Sequence, residues 1–259
     1  MVGVKRKYIE ATYRLLERDG IGGVSIRNVA DELGCSSAAL YRHFADIDRL
    51  TAVASVRFLR PYIRLARIMS QVDLNPLELN LQLWECLAYY SFQNADVFEN
   101  LFFGDAAGKS NAEAISEYFE QYPEDLEGLK DFMLQIVCNN DIADRDFVLL
   151  DRASDMGMLS RESAEYLCGL DTYLFRGMLA SLRGRELGND GFREATRDFM
   201  RLLIRSYTTQ LEEGYSILVV NPSIDLPGDK SELDVRSAYR VQVSTVPCGG
   251  GVEQVRVTA

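Results

Sequence analysis

The chain has 259 residues, 47% hydrophobic and 26% charged, with 19 glycines and 6 prolines. That length suits one large or two ordinary domains, and the composition excludes collagen-like, low-complexity and wholly disordered classes. A formal charge of −11, taken whole, argues against a protein that coats nucleic acid without specificity.

The charge is segregated. Residues 1–67 carry twelve Lys and Arg against seven Asp and Glu, whereas the remainder carries sixteen against thirty-two. A basic head on an acidic body implies two modules with different partners. No stretch approaches the ~20 apolar residues that span a bilayer, and no apolar segment follows the basic Lys5-Arg6-Lys7 as a secretory signal would require. The five cysteines (Cys35, Cys86, Cys138, Cys168, Cys248) form no CxxC pair and no disulfide framework. The expected setting is a reducing, cytoplasmic one with no membrane partner, the thiols free and mostly buried.

In chain order, Val4, Tyr8, Ala11 and Leu15, with Ile9, Thr12 and Leu16, follow the 3.6-residue period of a first helix that Gly20 stops. Ser25 is positioned to cap a second helix over Ile26–Leu33, ended by Gly34. Ser36 or Ser37 caps a third, expected to run to Phe44, with Leu40 and Phe44 pointing inward. Asp46 caps a fourth through Leu50 and Val53, and Pro61 kinks or ends it. Helical patterning continues over 76–103, 111–122, 127–150 (with a break near Asn139-Asn140), 160–185 and 191–213. The last 45 residues differ. Segments 215–220 and 239–246 are strand-like, a loop is expected over 221–231, and Gly249-Gly250-Gly251 could turn a hairpin into 252–257.

Two short helices joined through a Gly34-containing turn form a helix-turn-helix candidate, whose second helix would enter the DNA major groove. In Ser36-Ser37-Ala38-Ala39-Leu40-Tyr41-Arg42-His43-Phe44, the small side chains permit close approach to base edges. Hydroxyls can bond bases or phosphates, and Ala38 or Ala39 can touch a thymine methyl. Arg27, Arg42 and the Lys5-Arg6-Lys7 arm are candidates to neutralise phosphates.

These residues resemble the TetR-type transcriptional regulators. The resemblance runs from about Tyr8 to Leu50. It is carried by Ala11, Leu15-Leu16 and Gly20, by Gly23-Val24-Ser25-Ile26-Arg27-Asn28-Val29-Ala30, by Leu33-Gly34-Cys35-Ser36, and by Leu40-Tyr41-Arg42-His43-Phe44 with Leu50. It implies that Arg27, Ser36, Ser37, Ala39, Tyr41 and His43 face double-stranded DNA, with Tyr41 and the sole histidine, His43, mainly on phosphate. The sequence departs from the family at Ile47, where a phosphate-bonding Lys is common, so either Arg49 substitutes or the contact is lost. Cys35, in place of an aliphatic residue, is read as a small core residue. For Arg57, Arg60, Arg64 and Arg67, spaced along one helix face, a solvated or acid-paired seam between head and body is expected rather than DNA contact.

The resemblance also implies an effector pocket in the body, a homodimer and a pseudo-palindromic operator, and hence a repressor released by an unknown small molecule. Aromatic density suggests Trp84, Tyr89, Phe92, Gln93, Phe102, Phe119 and Gln135 for the pocket, with Cys86 and Cys138 as further polar candidates, although ordinary bundle core explains any one of them. Leu167, Leu174, Phe175, Met178, Phe199, Leu202 and Leu203 on the last two helices are the expected dimer seam, with Gly169, Gly177 and Ser181 permitting close approach. The sequence holds no metal-ligand cluster, GxSxG, P-loop or GxGxxG, so no catalytic residue, metal or cofactor is assigned.

The expected architecture is all-α. A helix-turn-helix head over 1–50, with a connecting helix to about 70, joins a helical effector-binding and dimerisation domain over 71–214. A short, hairpin-like extension follows over 215–259. The competing reading is a helical interaction module that works through protein contacts.

Overall fold

A computed structural model of the chain describes residues 2–71, 73–104, 109–220 and 238–242. Helix α1 (Val2–Asp19) ends at Gly20, and α2 (Ile26–Leu33) starts where the Ser25 hydroxyl accepts from the Asn28 amide. Gly34 ends α2 in the left-handed region (φ 62°), and α3 (Ser37–Leu40) follows at once. The third helix is thus a single turn. It does not reach Phe44: the His43 and Phe44 amides both close on the Leu40 carbonyl, and the chain turns there. Asp46 caps α4 (Ile47–Val56) by accepting from the Arg49 amide. A short 3-10 segment leads to α5 (Arg60–Met69), where Pro61 occupies the first turn, a position that requires no N–H donor.

The body comprises α6 (Pro76–Gln93), α7 (Ala95–Phe103), α8 (Lys109–Gln121), α9 (Asp131–Val137), α10 (Ile142–Asp155), α11 (Arg161–Leu182) and α12 (Asn189–Gln210). The capping box of Asn75 and Glu78 fixes the start of α6. The single helix expected over 76–103 breaks at Asn94. Its backbone leaves the helical region, its amide closes on the Ser91 carbonyl, and its side chain donates to the Tyr90 carbonyl. The break expected near Asn139-Asn140 is present, with Asp141 capping α10.

After α12 the backbone enters β1 (Ser216–Val220), which pairs antiparallel with β2 (Ala238–Gln242) in the register Ser216 to Gln242. The expected loop over 221–231, the turn at Gly249-Gly250-Gly251, the strand over 252–257 and Cys248 lie outside the described residues.

One hydrophobic core runs through the molecule. In the head, Ile9, Leu15, Val29, Leu40, Phe44, Leu50 and Val53 are fully buried or nearly so, which locks α1 through α4 together. Helix α4 also packs on α7 and α8, so the head and body cores are continuous. In the body, Trp84 and Phe92 of α6 meet Phe175 of α11 and Phe199 of α12 as a ring cluster with centroids 5.3–6.1 Å apart. This corrects the expected dimer seam: Leu167, Phe175, Phe199 and Leu203 have no exposed surface and fill their own chain's core. The outward faces of α11 and α12 instead present Tyr166, Tyr173 (76% exposed) and Leu202, with Leu174 and Met178 partly covered.

Gly34 isolates a backbone effect, because a Cβ built there meets nothing within 4 Å. Gly34→Ala is therefore expected to cost ~1 kcal/mol through the left-handed backbone alone. Urea unfolding should show a lower midpoint with an unchanged m-value.

Candidate nucleic-acid interface and body cavity

The turn between α2 and α3 presents a continuous outer surface. Ser36, Ser37, Ala38, Tyr41 and Arg42 are exposed, Ala39 and His43 are partly covered, and Leu40 and Phe44 anchor the segment from below. Tyr41 is 55% exposed, and its ring faces outward from a segment whose other large apolar side chains are buried. His43 lies against Tyr8 with ring centroids 5.5 Å apart, and the Tyr8 hydroxyl sits 3.7 Å from the Cys35 Sγ. Cys35 is thus a packing residue, half-buried against the core. Arg27 projects from α2 with its side chain 88% exposed, 3.7 Å from Asp31.

The cations divide into three groups. Lys7, Arg27, Arg42 and Arg64 are on the open surface. Arg14 and Arg18 pair with Glu32 and Asp19 within the head, and the others turn toward the body or the joint with it. Lys5 Nζ is 2.6 Å and Arg49 Nε 3.0 Å from the Glu117 carboxylate, and Arg49 also reaches Glu113 at 3.6 Å. Arg6 donates both Nη groups to Glu124 at 3.0 Å. Arg60 donates to Asp125 at 2.8 Å, and Arg67 donates to the Asp125 carbonyl. The guanidinium groups of Arg6, Arg57 and Arg60 lie 4.6–5.4 Å from the Tyr122 ring centroid.

The expected use of Arg49 on phosphate is corrected. Its side chain is mostly covered and bonded to α8, because α4 packs directly on that helix. The Lys5-Arg6-Lys7 arm is likewise split, and only Lys7 stays at the surface. Arg60 pairs with Asp125 of the body, Arg67 bonds the Asp125 carbonyl, Arg57 pairs with Glu10 of α1 and lies over the Tyr122 ring, and Arg64 is left exposed.

In the body, Tyr62, Asn80, Leu83, Trp84, Leu87, Ile136, Ile142, Arg145 and Asp146 line a small cavity of about 10 Å³, room for about one water, open at its mouth. Of the seven expected pocket residues only Trp84 reaches it. Phe92 and Phe102 belong to the ring cluster around Phe175, and Phe119 packs on Tyr118. Tyr89 and Gln93 are partly covered, the Gln93 amide donating back to the Tyr89 carbonyl, and Gln135 points to solvent. Aromatic density marked core here, because large rings fill space instead of leaving it.

Behind the cavity lies a buried polar network. Asp146 Oδ1 accepts from Asn80 and from the Trp84 indole, each at 2.7 Å, and Asp171 Oδ2 accepts from the Tyr207 hydroxyl at 2.7 Å. The remaining oxygens, Asp146 Oδ2 and Asp171 Oδ1, have no other donor. The two carboxyls interact, so that a proton held on Asp171 favours the ionised form of Asp146. Burial raises both groups, Asp146 to about 7 and Asp171 well above the carboxylate range, and the Asp146 charge raises Asp171 further. Periodicity alone could not reveal this pair, since Asp171 sits in an otherwise apolar stripe of α11. Among the described residues no group of three metal-ligating side chains occurs, and no helix is long and apolar enough to cross a membrane.

Residues 9–52 match the family model described as bacterial regulatory proteins, tetR family. No curated protein matches the chain. Among solved structures, a TetR transcription regulator from Haloarcula marismortui is similar at a TM-score of 0.52 and 18% identity, over 82% of this chain and all of that one. RolR in complex with resorcinol is similar at a TM-score of 0.50 and 12% identity, over 78% of this chain and 90% of that one. The chain thus matches a tetR-family model over its head alone, on a fold shared with a solved TetR transcription regulator.

Two measurements check this geometry. Glu117 answers two cations, so Glu117→Gln and Arg49→Ala are each expected to cost ~1–3 kcal/mol, since each leaves a partly buried charged group unmatched. The double variant should cost clearly less than the sum, and a denaturation double-mutant cycle reads the difference. The second measurement concerns the acid pair. A carboxyl whose folded pKa exceeds its unfolded value of ~4 stabilises the fold fully below that value. That contribution is lost as pH rises through the folded pKa, about 7 for Asp146. Tm measured from pH 5 to 8 should therefore shift in favour of Asp171→Asn relative to the parent as pH rises, and a pH-independent difference would contradict the coupling.

Proposed function

We propose that the chain is a homodimeric, sequence-specific DNA-binding transcriptional regulator of the cytoplasm, a repressor whose grip on a pseudo-palindromic operator a small molecule releases. The observation that carries this reading is the surface over 36–43 within the tetR-family match. It has small side chains, an outward Tyr41 and the exposed cation Arg42, all on a segment held rigid by buried Leu40 and Phe44. Residues 1–50 would read the operator, with Ser37 to Ala39 nearest the bases and Tyr41, Arg42, His43 and Arg27 on the backbone. Residues 71–214 would bind the effector and a second copy of the chain, the latter through the outward faces of α11 and α12. The role of RolR's bound resorcinol is the analogue for a small-molecule effector in such a fold. An effector shifts operator affinity only as far as it binds the DNA-competent and released states unequally.

A second reading, a helical module acting through protein contacts, draws support from Ile47 and from the commitment of Arg49 to Glu117, which leave α4 without a phosphate-binding cation. A mobility-shift assay with DNA flanking the chain's own gene separates the two. The regulator reading expects a site that outcompetes bulk DNA, with affinity falling steeply between low and moderate salt. Tyr41→Ala should weaken that complex by roughly tenfold, about 1.4 kcal/mol, with the folded state intact by circular dichroism. Binding indifferent to sequence and to Tyr41 would favour the protein-contact reading.

A further inference from the structure

The first turn of α1 carries no acid, and the cations Lys5, Arg6 and Lys7 stand in succession near its start. Cations at this end of a helix oppose its dipole, which favours an anion there. The body supplies the anions. Glu117 holds Lys5 at 2.6 Å, and both oxygens of Glu124 accept from the Arg6 Nη groups at 3.0 Å. A guanidinium bound by two oxygens in this way presents the same fork that takes a phosphate. Lys7 is exposed.

These cations lie close to the surface proposed to meet DNA. Lys5 Nζ is 5.4 Å from the centroid of the Phe44 ring, and buried Phe44 anchors the segment that carries Tyr41 and Arg42. They also form the open end of the seam. The side chains of Lys5, Arg6 and Glu124 are 31%, 32% and 43% exposed, against 16% for Arg49 on the same Glu117. An open pair is weaker and more strongly screened than a covered one, so another anion displaces it more readily. The buried apolar side chains of α1, namely Tyr8, Ile9, Ala11, Leu15 and Leu16, all follow the three cations. The helix therefore stays anchored when the pairs exchange.

We propose that Glu117 and Glu124 form an autoinhibitory contact, in which their carboxylates compete with DNA phosphates for Lys5 and Arg6. The proposal rests on the regulator reading above, and it makes the body a determinant of how many head cations DNA can use. In the free chain both side chains are bound to the body. A DNA backbone close to Tyr41 and Arg42 offers oxyanions at high charge density, and the long Lys5 and Arg6 side chains exchange one oxyanion for another. Arg49, more deeply covered, remains on Glu117 and keeps α4 against α8.

Salt dependence counts the cations on phosphates, each adding about 0.9 to the slope of log affinity against log salt. The full chain is titrated by fluorescence anisotropy with a labelled duplex from the DNA flanking its own gene and with an unrelated duplex, from about 50 to 200 mM salt. Because Glu117 also holds Arg49, its substitution disturbs the seam, so the main variant is Glu124→Gln at a more exposed position. It should bind more tightly than the parent at low salt and steepen the slope by about one, an extra loss of about threefold over that range. Glu120→Gln removes the same charge from an exposed position on α8 that pairs with no cation among the described residues, and it should leave the slope parental. Adding Arg6→Gln to Glu124→Gln should return the slope to the parental value. An unchanged slope in Glu124→Gln, an equal steepening by Glu120→Gln, or a gain that survives Arg6→Gln would overturn the proposal. With parental binding that still depends on Tyr41, any of these leaves the regulator reading standing. Absence of binding by the parent and every variant would instead sink that reading, and this proposal with it.

Discussion

A cation-rich head can pack against the rest of its own chain only if the charge at the seam is answered there. Glu117, Glu124 and Asp125 supply that answer, arrayed on α8 and the turn after it. Lys5, Arg6, Arg49 and Arg60 are drawn onto these acids, and three guanidinium groups gather around the Tyr122 ring. The pairs are partly covered, so they are screened less than surface pairs and hold position better. The joint sorts the head's charge. Cations at the seam are consumed, while Arg42 beside Tyr41 and Arg27 on α2 stay exposed. The acidic balance of the whole chain is thus compatible with nucleic-acid binding, because acid in the body both orients the head and stays off its outer surface.

The same joint connects the head to the body cavity. Helix α5 begins at Arg60, bonded to Asp125, and two residues on, within the same turn, contributes Tyr62 to the cavity wall. The core around the cavity is stiffened by the ring cluster of Trp84, Phe175 and Phe199 and by the Asp146–Asp171 pair, so a change at the wall has few soft directions to dissipate into.

Much of the head was legible in the sequence because its signals are local. Ser25, Gly34 and Asp46 act within a few residues of themselves, and the structure places each at the boundary expected. The acid-paired reading is met by Arg60 on Asp125 and by Arg57 on Glu10 of α1, whereas Arg67 bonds a backbone carbonyl and Arg64 is exposed. What the sequence could not convey depends on contacts far along the chain. Arg49 looked free until α8 brought Glu117 to it. The apolar stripes of α11 and α12 looked like an interface, but both helices pack against α6 and against each other, and the buried stripe faces the chain's own core. Trp84 excepted, the aromatic residues expected to form a pocket fill the bundle instead. The cavity opens where a buried arginine, a tyrosine and aliphatic side chains from four helices meet. No periodicity encodes a void.

The central claim is that the surface over 36–43 is where this chain meets DNA. Amide hydrogen exchange of the full chain, with and without a DNA fragment it binds, tests that claim most directly. Slowed exchange concentrated in α2, α3 and the turn through Phe44, with the outward faces of α11 and α12 unchanged, is the result expected. Protection that skips this segment and falls on the body would contradict it.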